Sequence, residues 1–317
     1  PYTTLFRSIN EEEKSFFKIY FNNDKKKEIK RNILDNNNNI SKIDIIIDYN
    51  VKSFSNLFLG CKNIQSVNFK KFYRNNVDNM KYMFYCCDLL KEVKISHYKA
   101  NNITDMDNMF LNCYSLNEVE LTNINTNKNS SMNHLFSGCY SLKKVNFINF
   151  NTDNVIDMSY MFSDCISLND INLSNFNTKN VEDMSFMFYG CKSLKELNLT
   201  NFNTNKVKKM CSMFKSCYSL EKLNISNFST INVNNMESMF HSCSALKELN
   251  ITNFNTQNVT NLSYIFFDCR LLKEINLSNF NTQKVKYMTC MFFKCTSLKD
   301  INGCLNLSKV EDMRSIF

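Results

Sequence analysis

The sequence predicts an α/β solenoid, a stack of 26-residue repeats in which one short parallel strand is followed by one short helix. Three observations predict it. Ten cysteines (Cys61, Cys87, Cys113, Cys139, Cys165, Cys191, Cys217, Cys243, Cys269 and Cys295) recur at a strict spacing of 26, and a fixed period of this length marks stacked supersecondary units. Between them the same apolar residue types return at the same places. The chain of 317 residues holds only 4 Gly and 1 Pro, which fits one kind of turn used repeatedly rather than the varied turns of an ordinary domain.

With each periodic Cys as place 0, one clear repeat runs from Cys191 to Ser216. Leu197 and Leu199, at places 6 and 8, alternate with polar residues, the period of a strand with one buried face. Val207, Met210, Met213, Phe214 and Cys217 are separated by 3, 3, 1 and 3 residues, a spacing that predicts one face of a short helix. Asn fills place 15 in six of the nine complete repeats, and in Asn154–Asp157 and Asn180–Asp183 an Asp follows three residues later. This reads as an N-cap with an acidic first turn. Leu194 (place 3) and Phe202 (place 11) complete the apolar set.

One repeat cannot bury its apolar side alone, so like residues stack on like through a continuous core. With strands ~4.8 Å apart, ten turns extend about 50 Å. A helical side thicker than the strand side would curve the stack, with the sheet on the inner face. Asn129 in the Val column is a local blemish, and Leu262 and Ile265 replace two Met conservatively. Val310, Met313 and Phe317 recover the pattern one position early, and Gly303 and Cys304 fall where an aliphatic strand is expected.

The chain divides in three. Residues 1–8 (PYTTLFRS) resemble a translated adapter oligonucleotide and are set aside as a scar. Residues 9–39 form an N-terminal flank: a charged amphipathic helix to about residue 35 (Phe16, Phe17, Ile19, Tyr20, Phe21), capping the first turn, then the linker Asn36–Asn39. Residues 40–317 are the solenoid, about ten turns, entered through Ile43, Ile45 and Ile47 and truncated at its C-terminal end. On this reading the true termini and any targeting segment are missing.

The strings Ser193–Thr204 (SLKELNLTNFNT) and Asp183–Cys191 (DMSFMFYGC), with V-x-x-M-x-x-MF-x-x-C recurring over residues 51–317, resemble the BspA-like leucine-rich repeat proteins. The resemblance implies a leucine-rich-repeat-like solenoid. It also implies a surface or extracellular protein of the adhesion type, binding host proteins or other cells; a cytoplasmic location stays open, since no signal or anchor is visible. Asn stands where relatives often have Asp or Gly, a departure ascribed to base composition.

The net charge of +8 comes mainly from Lys scattered along the chain. Only Lys25–Arg31 is concentrated, outside the repeats, so no nucleic-acid partner is expected. No apolar run approaches the ~20 residues of a membrane-spanning helix.

The cysteine column reads as core thiols, with disulfides between successive turns as the geometric alternative. Cys86, Cys211, Cys290 and Cys304 lie off the column, and such scattered thiols fit a reducing compartment somewhat better than a secreted one. His97, His134 and His241 occupy three different places, so no catalytic constellation is argued; no metal site and no cofactor is expected, and the chain is read as no enzyme. Carboxylates at place 5 (Glu118, Asp170, Glu196, Glu248, Glu274) read as a solvated surface.

The candidate partner-binding face is the outward strand side: Asn172, Asn198, Asn224, Asn250 and Asn276 at place 7, and Ser174, Thr200, Ser226, Thr252 and Ser278 at place 9. Two readings stay open: hydrogen bonding along the stack, or a uniform polar surface for a protein ligand. The same columns match the N-glycosylation acceptor pattern, and sugars on every strand would crowd that face. The expected function is a non-enzymatic protein-binding scaffold, with an intracellular interaction scaffold as the alternative. End-to-end self-association through an uncapped turn, and a catalytic domain beyond this stretch, complete the set.

Overall fold

The computed structural model describes residues 3–4, 17–21, 28, 33–34, 43–47, 51, 53–69, 77–95, 103–124 and 126–317. At the N-terminal end, β1 (Thr3–Thr4), β2 (Phe17–Phe21), β3 (Ile33–Leu34) and β4 (Ile43–Ile47) form two antiparallel pairs, β1 with β3 and β2 with β4. The helix expected across residues 9–35 is therefore corrected: Phe17–Phe21 is a strand. Phe17, Ile19 and Phe21 stand opposite Ile47, Ile45 and Ile43, and this shared period of two suits a pleated pair of aromatic and β-branched residues. The linker Asn36–Asn39 and most of residues 1–8 and Lys25–Arg31 lie outside the described residues.

The rest is a β-solenoid of about nine turns, the number of 26-residue intervals between Cys61 and Cys295. Strands β5 (Ser66–Phe69), β6 (Glu92–Ile95), β7 (Glu118–Thr122) and β8 (Lys144–Ile148) form a parallel sheet in which Val67, Val93, Val119 and Val145 are in register. Strands β9 (Glu196–Asn198) and β10 (Lys222–Asn224) form a second parallel pair, and β11 (Glu274–Asn276) and β12 (Asp300–Asn302) a third. The expected short parallel strand is thus present. Strand pairing lapses at residues 170–172 and 248–250.

The expected helix is not there: the described residues contain no helix, and places 19–26 are a run of overlapping β-turns. Around Met184–Cys191 the amides alternate between two kinds of acceptor. Those of Met184, Phe186, Phe188 and Gly190 donate to Lys209, Cys211, Met213 and Lys215 O in the next turn (2.8–3.1 Å). Those of Met187, Tyr189 and Cys191 donate to the carbonyl three residues back. Phe186 and Gly190 have φ of 58° and 69°, the left-handed conformation that closes such a run without helical winding.

Packing distance explains the correction. The rings of Phe58, Phe84, Phe110, Phe136, Phe162 and Phe188 stack 5.2–5.6 Å apart, whereas α-helix axes pack 8–10 Å apart. A helix in every turn would not fit that spacing. Without helices, the premise for a thick convex side also goes. The Asn–Asp motif becomes something else: Asp183 Oδ1 accepts from Ser185 N (2.9 Å), opening the turn run as an Asx turn. Asn180 Nδ2 donates to Asp153 O of the preceding turn (2.8 Å).

The core follows the apolar columns. Met184, Met187, Phe188, Cys191, Leu194, Leu199, Phe202 and Val207 are all fully buried.

Candidate functional site

The ten residues of the candidate face lie together on the strand side, all exposed except half-buried Ser226. Each Asn is spent on its own turn. Oδ1 of Asn172, Asn198, Asn224, Asn250 and Asn276 accepts from the amide two residues on, at Ser174, Thr200, Ser226, Thr252 and Ser278 (2.9–3.4 Å). The hydroxyls of Ser226 and Thr252 donate to the same oxygens (3.1 and 2.8 Å). Hydrogen bonds between these side chains therefore run within a turn, not along the stack. The Asn Nδ2 groups have no partner among the described residues.

Bonding along the stack belongs to other columns, which the sequence reading missed. Thr204 Oγ1 donates to Ser229 O and accepts from Ser229 N, both at 2.8 Å. Thr152, Thr178, Thr230 and Thr256 make the same bond to the following turn at 2.9–3.0 Å, and every one is buried. Three residues past the strand end, Asn201 and Asn227 Nδ2 reach Phe176 and Phe202 O of the preceding turn (3.0 and 2.8 Å). The recurrent FNT string was the available signal. Asn abundance thus has a stereochemical reason beside any compositional one.

Charged residues flank the face. Lys222 pairs with Glu196 (2.6 Å) and Lys144 with Glu118 (3.4 Å), each across one turn boundary. Glu274 lies in register beside Asp300. A polar groove on the neighbouring edge is lined by Glu182, Lys206, Lys208, Asn232, Asn234 and Asn258.

The column cysteines are reduced thiols facing the core. Cys191 Sγ donates to Phe162 O (3.2 Å) and Cys217 Sγ to Phe188 O (3.1 Å). Burial pushes both thiols up, Cys217 to about 12, because a thiolate there would lose its hydration. The alternative of disulfides between turns is not realised. Cys304 is exposed, and Cys86, Cys211 and Cys290 are half-buried.

One Ser/His/Asp grouping does form, although sequence spacing gave no reason to expect it. Ser242 Oγ lies 2.9 Å from His241 Nδ1 and 3.4 Å from Asp268 Oδ2, while Arg270 holds both Asp268 oxygens (2.8 and 3.3 Å). Its order is wrong for nucleophile activation, since the acid orients the serine and not the imidazole. Burial, then the Lys215 charge, lowers the His241 pKa to about 4. His134 stacks on Tyr160 at 4.3 Å, and His97 lies outside the described residues. Among the described residues no group of three or more His, Cys, Asp or Glu is placed to hold a metal ion. No described helix is long and apolar enough to cross a membrane.

The chain is similar to several solved structures. A leucine-rich repeat protein from Bacteroides ovatus is 20% identical, with 76% of this chain and 69% of that one covered and a TM-score of 0.43. A leucine rich cell surface protein from Faecalibacterium prausnitzii is 18% identical over 84% and 87% of the two chains, TM-score 0.34. An internalin from Listeria monocytogenes is 12% identical over 79% and 67%, TM-score 0.31. No curated protein sequence matches. One family profile matches in four overlapping stretches, residues 27–145, 52–171, 119–223 and 217–317. With its period, its columns and nearly all of its length matched, the chain belongs to the family described as Mycoplasma protein of unknown function, DUF285.

Proposed function

We propose that the chain is a non-enzymatic scaffold whose strand face binds a protein ligand, in the manner of a surface or adhesion-type BspA-like leucine-rich repeat protein. One observation carries the reading: the Nδ2 donors of Asn172, Asn198, Asn224, Asn250 and Asn276 are repeated once per turn on an exposed face, their carbonyl oxygens already engaged. A repeated donor row suits an extended polar partner better than a small molecule held in a pocket. The test is binding of the labelled chain to intact host cells and to an array of extracellular proteins. The Asn198→Asp/Asn224→Asp/Asn250→Asp variant, which keeps each Oδ1 acceptor and removes only the Nδ2 donors, is expected to stay folded and lose binding; undiminished binding would remove the strand face from consideration.

An intracellular interaction scaffold using the same face is the second reading. It is favoured by the cysteines, all reduced and one of them, Cys304, exposed, as in a reducing compartment. Localisation of the tagged full-length gene product separates the two.

A further inference from the structure

The turns are stitched on the edge before the turn run by a repeated backbone bond from place 17 to the preceding turn. Thr104 N donates to Asp78 O (2.7 Å), Ile156 N to Ser130 O (2.8 Å), Glu182 N to Ile156 O (2.8 Å) and Lys208 N to Glu182 O (2.8 Å). The equivalent bond from Ser130 N to Thr104 O is missing. So is the next rung, Met106 N to Ser131 O, although Met80, Met132, Met158 and Met184 all make theirs (2.9–3.1 Å). The paired contacts along place 18 break at the same point: Asn79 pairs with Asp105 and Ser131 with Asp157, but Asp105 does not pair with Ser131.

Asn129 accounts for all three. It stands in the Val column, fully buried between Ile103 and Val155. Its Oδ1 accepts from Ser131 N (3.1 Å), and in the following turns the corresponding amides, Asp157 and Asp183, donate instead to the turn before (3.4 and 3.3 Å). A local Asx bond has displaced the bond between turns. Asn129 Nδ2 is buried without a partner, and so is His134 Nδ1 in the same turn, which leaves costly unmet polar groups beside the gap. Asp107 spans what is left: its Oδ1 accepts from Ser131 Oγ (2.6 Å) and Asn133 N (3.0 Å).

We infer that the joint between Thr104–Asp107 and Asn129–Asn133 is a built-in opening point of the stack, where neighbouring turns part along one edge while staying joined along the others. The strand side (β6 with β7) and the remaining turn-side rungs (Asn108 N to Asn133 O, 2.9 Å) hold the joint on its other edges, so it opens as a wedge on one edge. The inference is independent of the proposed ligand face.

Residue-resolved hydrogen–deuterium exchange on the full chain tests it. The Ser130 and Met106 amides are expected to exchange at least about tenfold faster than Ile156 and Met158, their counterparts in later turns. Asn129→Val is expected to bring them to their counterparts' rates, and Val155→Asn to create a second fast joint at Ile156 and Met132. Equal protection of Ser130, Met106, Ile156 and Met158 in the unmodified chain would overturn the inference, as would an Asn129→Val chain that folds and still exchanges fast at Ser130.

Discussion

The thiol of Cys191 donates to the carbonyl of Phe162, 29 residues earlier and 3.2 Å away, and the same pairing repeats from Cys87 with Phe58 to Cys295 with Phe266. The column that announces the repeat is thus a small hydrophobe with one directed bond. Phe162 O also takes the Cys165 amide (3.1 Å), so the thiol shares an acceptor that is already satisfied.

Thiol chemistry follows from that burial. Cys304 is expected to react with an alkylating reagent under native conditions, while Cys113, Cys139, Cys191 and Cys243 react only on unfolding, since burial holds their thiols protonated. Mass spectrometry of labelled peptides reads the order. Cys191→Ala is expected to cost about 1–2 kcal/mol in chemical denaturation, from the lost bond and a small void.

The Thr column gives a sharper contrast. Thr204→Val keeps volume but removes both bonds to Ser229, leaving the amide and carbonyl of this half-buried residue short of a partner at a cost of about 1–2 kcal/mol. Thr204→Ser keeps both bonds and is expected to lose well under half as much. Urea midpoints compare the two.

Gly190 and Asp164 form a coupled pair. Gly190 has φ of 69°, and a Cβ there would run into Asp164 Oδ1 of the preceding turn. Gly190→Ala is expected to destabilise by at least about 1–2 kcal/mol from the left-handed conformation and the overlap. Asp164→Gly should recover the part due to overlap in a double-mutant cycle; purely additive losses would mean the two side chains do not meet.

His241 supplies a pH dependence. Its folded-state pKa is lowered to about 4, below its ordinary value of 6.5, by burial and then by Lys215, with Asp268 opposing. The folded chain therefore binds fewer protons than the unfolded chain in that window. This contribution is fully present above about 6.5 and is lost as pH falls toward about 4. His241→Phe, which keeps a ring against Phe267 (4.5 Å in the native pair), is expected to flatten the slope of melting temperature against pH in this interval.

The period, the strand and the buried columns were legible because stacking demands identity at each place: Leu197 on Leu223, Phe188 on Phe214. The helix was misread for a physical reason. Buried groups three and four apart, as in Met184, Met187, Phe188 and Cys191, arise equally from a helical face and from overlapping β-turns. What distinguishes the two is φ, and the signal for it lay at place 25. Gly60, Asn112, Gly138, Asp164, Gly190 and Asp268 all have positive φ, and these residue types tolerate the left-handed region best. At the candidate face the position of each residue was legible but not its partner. An Asn side chain binds its own turn or the preceding one according to backbone geometry, as Asn198 and Asn201 do in opposite ways.

The central claim is that every second amide on the turn side of a repeat bonds to the next repeat, where an α-helix would bond it four residues back in its own. Hydrogen-bond scalar couplings between amide nitrogen and carbonyl carbon, read on the deuterated chain, test it at Phe188. The expected result is a coupling from the Phe188 amide to the Met213 carbonyl, 2.9 Å away in the following turn. A coupling to the Met184 carbonyl, four residues earlier, would show an α-helix there and contradict the account.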